Sequence, residues 1–354
     1  MSKNKKLRSK KAGLPPGTLV HIGEKKTESV KFGQIDFDQL GHSERQPLSA
    51  RDAANTEQQH ATRWTNVYGA HQASDIAPLG ERYHLHPLVL EDILNTAQRQ
   101  KVDSYADHLY IVLHRYEISN ESLDLVQDQI SLVVGHDYLL SFQERESKTF
   151  EPVRQRLRNP PSSIHRGGVG MLTYSLIDAV VDSYFGVIEQ INDQAERLES
   201  EILGHPGPNA LEGIHQLKRC VSQLRRDLHP LRELLGSLHR DADNYFADDV
   251  QVYLRDVYDH TIHIIESLED LRDLATGLLD VYLSTVSHRV NLEVRTLTVF
   301  TTIFLPATLI AGIFGMNFRE MPWLTLPSGY LYALGLMAMI AIGMLLAFWR
   351  RKYV

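Results

Sequence analysis

Side chains bearing neutral oxygens recur in an otherwise apolar stretch near the C-terminus. Asn291, Val294, Thr298, Thr301, Leu305, Thr308 and Gly312 follow one another at steps of three and four, which places them on one stripe of a helix. The surrounding run Thr296–Phe318 carries no charge and closes on "GMNF", with Asn317 where the apolar stretch stops. Such a stripe suits a hydrated cation. A ring of Asn317 carboxamides would present acceptor dipoles without full charge, strong enough to hold an ion and weak enough to release it. Mg²⁺ fits that chemistry because it dehydrates reluctantly and keeps waters that amide oxygens can accept bonds from. No Asp, Glu or His lies within the run, which excludes a proton relay of the intramembrane carboxylate kind. Two plainer roles stay open: threonines that bond their own backbone in a lipid-facing helix, and Asn317 as a helix C-cap.

Carboxylates offer a second kind of chemistry. Asp256 and His260 share a helical face at i and i+4, and Glu91 and Asp92 are adjacent acids. That spacing by itself is equally that of a solvated surface. The 17 histidines are scattered, the single cysteine, Cys220, precludes an intramolecular disulfide, and there is no CxxC pair or GxxxxGK[ST] phosphate loop. No nucleophile motif or cofactor loop points to an enzyme.

The elements that must position these groups are legible in the hydropathy. Thr296–Phe318 is long enough to cross the roughly 30 Å hydrocarbon core of a bilayer. Tyr330–Trp349 is a second uncharged run, and the pair makes a transmembrane hairpin joined by a short connector containing Arg319 and Glu320. Arg350, Arg351 and Lys352 follow directly, so by the positive-inside tendency both termini face the cytoplasm of a cell (inner) membrane protein. The opening "MSKNKKLRSKK" is basic but lacks an apolar h-region, which predicts a disordered tail rather than a secretory signal. Between these basic ends the body is strongly acidic, the whole chain carrying 44 Asp and Glu against 37 Lys and Arg. Such a body attracts cations and repels nucleic acid.

Residues 18–165 read as a mixed α/β domain. "LYIVLHRYE" (109–117), "QISLVVG" (129–135) and "YLLSFQE" (138–144) have strand composition, whereas "HPLVLEDILNTAQRQ" (86–100) has helical spacing with Pro87 at its start. Residues 166–295 read as a long-helix stalk. One helix runs to the break at "HPGPN" (205–209), a second is kinked by Pro230, and from Asp249 to Leu305 no proline interrupts the pattern. That last helix would enter the membrane without a joint. The expected organisation is a basic tail (1–17), the α/β domain, the stalk, a pore-lining span (296–318), an external loop (319–329), a second span (330–349) and a basic tail (350–354). The predicted class is therefore an α+β cytoplasmic domain whose long helices continue into a two-helix transmembrane hairpin.

"YDHTIHI" (258–264), "GLLDVYLSTVS" (277–287), "AGIFGMNF" (311–318) and the terminal basic cluster together resemble the CorA family of magnesium transport proteins. "GLPPGTLV" (13–20) and "HPLVLEDILN" (86–95) resemble its bacterial and archaeal members, so the likeness covers nearly the whole chain. The resemblance implies a funnel-shaped homopentamer in the lipid bilayer, with Gly315, Met316 and Asn317 as selectivity ring. It places Asn291, Leu297, Thr301, Leu305, Thr308 and Gly312 along the pore, with Leu297 and Leu305 as apolar constrictions. Leu305 stands where some members have methionine, and Arg319 and Trp323 stand where acids are frequent. The resemblance further implies regulatory Mg²⁺ at subunit interfaces on Asp92 and Asp256, with Glu91, Asp178 and His260 as a second site. The implied activity is Mg²⁺ influx, with Co²⁺ and Ni²⁺ as further candidate cargo. A divalent ion moving inward across 100 mV gains roughly 4.6 kcal/mol, so the membrane potential suffices. The rival expectations are a zinc transporter of the same superfamily and a membrane-anchored coiled-coil scaffold or sensor without flux.

Overall fold

The computed structural model describes residues 13, 15–119, 123–204, 207–241, 246–317, 323 and 326–351. The expected basic N-terminal tail, apart from a few of its residues, lies outside the described residues, as do Phe318, Arg319, Glu320 and Lys352. The chain divides into two compact units, one of residues up to Leu198 together with Glu212–Thr276, the other of Glu199–Leu211 together with Gly277 onward.

In the first unit seven strands form one sheet: β1 (Lys31–Phe37), β2 (His42–Leu48), β3 (Thr62–Tyr68), β4 (Lys101–Ser104), β5 (Leu109–Ile118), β6 (Leu125–Val134) and β7 (Tyr138–Gln143). The order is β2-β1-β3-β7-β6-β5-β4, with β3 and β7 parallel and every other pair antiparallel. The three segments with strand composition correspond to β5, β6 and β7, β6 beginning earlier than its apolar run. Central strands β3 and β5 are buried on both faces, so β5 opens on the continuous apolar run LYIVL rather than alternating, while β3 (TRWTNVY) buries polar side chains as well.

Three short helices, α1 (Ala50–Asn55), α2 (Ala73–Arg82) and α3 (Pro87–Leu94), cover one face. Ala53, Ala54, Ile76, Leu79, Val89, Ile93 and Leu94 from them pack with Phe32, Val67, Tyr110, Val112, Val133, Leu140 and Phe142 of the strands. Helix α3 starts where Pro87 predicts, with the His86 ring accepting from the Leu88 N–H, but it ends at Leu94 rather than near residue 100. Asn95 pairs instead with Ile22 in a parallel bridge, and the Ile22 carbonyl accepts from the Thr96 N–H. A backbone partner from the N-terminal segment thus outcompetes the next helical turn. On the sheet itself, fully buried Trp64 stacks edge-on to Phe150 at 6.1 Å and donates from Nε1 to the Ser141 hydroxyl at 2.9 Å. Phe150 leads into α4 (Glu151–Arg158), whose Val153 and Leu157 are buried.

The long helices are α5 (Ser163–Gly204), α6 (Pro208–Asp241) and α7 (Asp248–Phe314), followed by α8 (Gly329–Arg350). Helix α5 bends at Gly168, whose φ of 57° a side chain would disfavour. Helix α6 includes Pro230, the position expected to kink it. Pro230 has no N–H for the carbonyl one turn back, and in that same turn the Gln100 amide donates to the Asp227 carbonyl at 2.6 Å. Helix α7 belongs to both units and measures about 100 Å at the standard rise.

Among the described residues, three helices are long and apolar enough to cross a membrane by length and composition. Burial separates them. The apolar window of α5 is 67 % buried, as befits a core helix, whereas those of α7 and α8 are 6 % buried.

Candidate functional site

Helix α7 keeps its helical hydrogen bonds through the Thr-rich run because each hydroxyl turns inward to the preceding turn. Thr298, Thr301 and Thr308 donate to the carbonyls of Val294, Leu297 and Phe304 at 2.7, 2.8 and 2.9 Å. This is the self-bonding that the lipid-facing alternative expects, and each hydroxyl so bonded spends its one proton and retains lone pairs that can accept from water. Direction is more informative than bonding. On α7 the side chains of reduced exposure from Val299 onward are Val299, Thr302, Ile303, Pro306, Ala307, Ile310 and Phe314, at helical spacing. On α8 they are Ala333, Leu336, Met337, Ile340, Ala341, Met344 and Phe348, also at helical spacing. Two such stripes are the pattern of helices laid against each other. At 3.6 residues per turn the covered stripe of α7 points about 140° away from the Asn291–Thr301–Gly312 stripe. Asn291, Leu297, Thr301, Leu305, Thr308 and Gly312 are all exposed, Leu297 and Leu305 each at 67 %.

The helix ends at Phe314. The Gly315 N–H donates to the Ala311 carbonyl at 2.9 Å, and the Met316 N–H reaches the Ile313 carbonyl at 3.2 Å as the turn tightens. Asn317 stands beyond these bonds, exposed, and among the described residues its carboxamide caps none of the last carbonyls. Trp323 stacks on Phe314 at 5.9 Å between ring centres and lies 6.3 Å from Tyr332 at the start of α8.

The second group of candidates lies in the first unit. Asp178 and Asp182, one turn apart on α5, meet His260 of α7, with one ligand atom from each lying within 4.8 Å of the others. Burial pushes the Asp178 carboxyl up to about 6, helped by the neighbouring Asp182 charge and opposed by Arg156 and His260. A carboxyl that resists ionising beside a second carboxylate is where a cation is worth most. The His260 Nε2 stands 3.8 Å from Asp256 Oδ2, while its buried Nδ1 has no hydrogen-bond partner. The ring therefore retains a coordination position. Two carboxylates and an imidazole form a set that fits a divalent cation, which commonly keeps waters as its other ligands.

Asp182 escaped the sequence reading, although its i+4 relation to Asp178 was there to be seen. The two acids of α3 are engaged within the chain. Asp92 pairs with Lys101 Nζ at 2.8 Å and accepts from the Gln98 amide, while Lys101 also contacts Asp103 at 2.5 Å. Glu91 is buried and accepts the Gly17 N–H, pinning the N-terminal segment to α3. Asp178, His260 and Asp256 are thus brought together, and Glu91 and Asp92 are held in a different neighbourhood of the subunit.

A family model described as CorA-like Mg²⁺ transporter protein matches residues 59–352. This chain belongs to that family. It is 40% identical over 346 residues to the cobalt/magnesium transport protein CorA of Thermotoga maritima, covering 98% of each chain. It is 32% identical over 285 residues to the putative metal ion transporter YfjQ of Bacillus subtilis, covering 80% of this chain and 88% of the relative. The solved CorA magnesium transporter of Methanocaldococcus jannaschii superposes with a TM-score of 0.76 over 93% of this chain and 100% of its own, at 20% identity. That last likeness shows the fold: a soluble α/β part, long helices and apolar helices shared with a full-length CorA structure. The relatives matched here are named as transport proteins rather than enzymes.

Proposed function

We propose that this CorA-like chain conducts Mg²⁺ into the cell, driven by the membrane potential, as a homopentamer in which α7 lines the pore. The observation that carries the reading is the exposed stripe of threonines and glycine on α7, turned away from the face covered like a helix contact and ending at an uncapped Asn317. In a single chain that stripe would face lipid, where each hydroxyl keeps its bond to the helix backbone but its lone pairs find no donor. Around a five-fold axis it would face water instead. Asn317 with Gly315 and Met316 would then form the selectivity ring, Asn291, Thr301, Thr308 and Gly312 would line the path, and Leu297 and Leu305 would narrow it.

Internal Mg²⁺ closes the pore in this reading. A cation shared by Asp178, Asp182 and His260 would hold α5 against α7, and without it the two carboxylates repel each other and draw no bond across to α7. Asp256 lies one turn from His260 on α7, and the same helix carries Leu297 and Leu305. Asp92 enters as a ligand only by exchanging Lys101, so a cation there competes with an ammonium. The cell (inner) membrane with both termini cytoplasmic is the matching location.

The test is Mg²⁺ entry into liposomes holding the purified protein at negative-inside potential, comparing the native chain with Asn317→Ala. Fast entry by the native chain that the substitution abolishes is the expected result. A correctly oriented native protein that passes no Mg²⁺ at low internal concentration would leave the scaffold reading standing. Entry of Zn²⁺ in strong preference to Mg²⁺ would favour the zinc reading.

A further inference from the structure

Two histidines outside these sites face each other with buried ring nitrogens that lack well-formed hydrogen bonds. His21 lies in the N-terminal segment just before the Ile22–Asn95 bridge, and His71 follows β3. Their rings meet edge to face with centres 6.4 Å apart. The His71 Nδ1 faces the Gly69 carbonyl oxygen, so that nitrogen carries the proton and Nε2 is left with its lone pair. That Nε2 is buried with no hydrogen-bond partner, and both ring nitrogens of His21 are buried too, near the Leu94 and Glu24 backbone but without a well-formed hydrogen bond to either. Burial first, and then the neighbouring His71, lowers the His21 pKa against the opposing pull of the Leu94 and Glu24 backbone, which keeps its ring neutral near pH 7.

The loop that presents His71 is fixed by the backbone. Gly69 has a φ of 78°, and a Cβ there would come within 2.1 Å of the Thr27 hydroxyl oxygen. No other residue fits without moving Thr27, whose own Oγ1 is buried and unpartnered. A backbone carbonyl on Nδ1 that fixes the tautomer and frees Nε2 is the arrangement that metal-bound histidines use. Buried nitrogens without a well-formed hydrogen bond are costly, and those on the two facing rings call for an occupant.

From this we infer that His21 and His71 form a binding site for a borderline divalent cation of the Co²⁺, Ni²⁺ or Zn²⁺ class. Imidazole nitrogen favours such ions over Mg²⁺, which prefers carboxylate, carbonyl and water oxygen. Two imidazoles on one tetrahedral ion stand about 5 Å apart between ring centres, given metal–nitrogen distances near 2.0 Å. The pair therefore needs to close by about 1 Å, within the reach of side-chain rotation. Water fills the remaining positions, with the Thr27 hydroxyl close to the loop that carries His71. The site is independent of Asp178, Asp182 and His260, and it stands whether or not the chain conducts Mg²⁺. Its effect would be to tie the N-terminal segment, which Ile22 and Gly17 already fasten to α3, to the loop after β3.

The experiment uses the full-length protein in detergent with millimolar Mg²⁺, which fills oxygen-donor sites, and titrates Co²⁺ by calorimetry. The native chain should bind one Co²⁺ per subunit that Asp178→Asn leaves in place. His21→Gln and His71→Gln should each weaken that binding by at least about tenfold, since even outer partners of a metal-bound histidine are worth that much. X-ray absorption of the native protein loaded with Zn²⁺ under the same Mg²⁺ provides a readout that needs no variant. Two imidazoles in the first shell are expected. An all-oxygen shell, or Co²⁺ binding unchanged in both histidine variants, would overturn the site and assign the nitrogens to buried water.

Discussion

Replacing Asp178 by Asn removes a charge that the fold disfavours while keeping the shape of the side chain. The Asp178 carboxyl is pushed from 3.8 up to about 6, mainly by burial and then by Asp182. A raised carboxyl pKa means that the folded state binds more protons than the unfolded chain between those values, so stability falls as pH rises through about 4 to 6 and is level above. A tenfold change in an equilibrium constant is about 1.4 kcal/mol, which sets an upper bound near 3 kcal/mol. Asp178 is only partly buried, and solvent screening reduces the figure to about 1–2 kcal/mol. In chelator, Asp178→Asn should therefore melt a few degrees higher than the native chain above pH 7, with the gap closing as pH falls toward 4. Adding Mg²⁺ should raise the melting temperature of the native chain and do much less for the variant, because ligand binding to the folded state is what stabilises it. The assay is thermal melting of the purified full-length protein across pH, with and without Mg²⁺. Superimposable profiles for the two proteins would refute both the repulsion argument and the cation site built on it.

Lys101→Met frees Asp92 of its ammonium partner, and on the competition argument it should lower the internal Mg²⁺ needed for closure about fivefold, worth about 1 kcal/mol, in the liposome flux assay. Asp36 holds Arg63 through two bonds of 2.6 and 2.7 Å with both side chains 1 % exposed, so Asp36→Ala should cost about 3–5 kcal/mol by leaving a buried guanidinium unpaired, measurable by denaturant unfolding. Cys220 is buried with its thiol pushed up to about 12, so a thiol reagent at neutral pH should label it only as fast as the protein unfolds.

The apolar runs Thr296–Phe318 and Tyr330–Trp349, the strand composition of residues 109–144 and the unbroken pattern leading to Leu305 are local periodicities. Local periodicity is what backbone hydrogen bonding reads, so these elements were visible in the sequence. The Asn317 position was visible too, because the charge-free run ends there. The early end of α3 was not, since it depends on Ile22 pairing with Asn95 across the fold. Nor could spacing show that the Gln100 amide would donate to the Asp227 carbonyl in the turn before Pro230.

Which carboxylates meet was decided by the tertiary structure. Asp178 and Asp182 find His260 only because α5 and α7 pack together, and no one-dimensional pattern links residues so far apart. Likewise Glu91 and Asp92 are neighbours in sequence, yet one is buried against the Gly17 N–H and the other is neutralised by Lys101. The covered stripe Val299–Ile310 gave the Thr-bearing stripe its direction, which helical spacing alone left free to point anywhere. Composition and period set what each element can be, whereas the charge state and partners of a side chain depend on what the rest of the chain brings within a few ångströms of it.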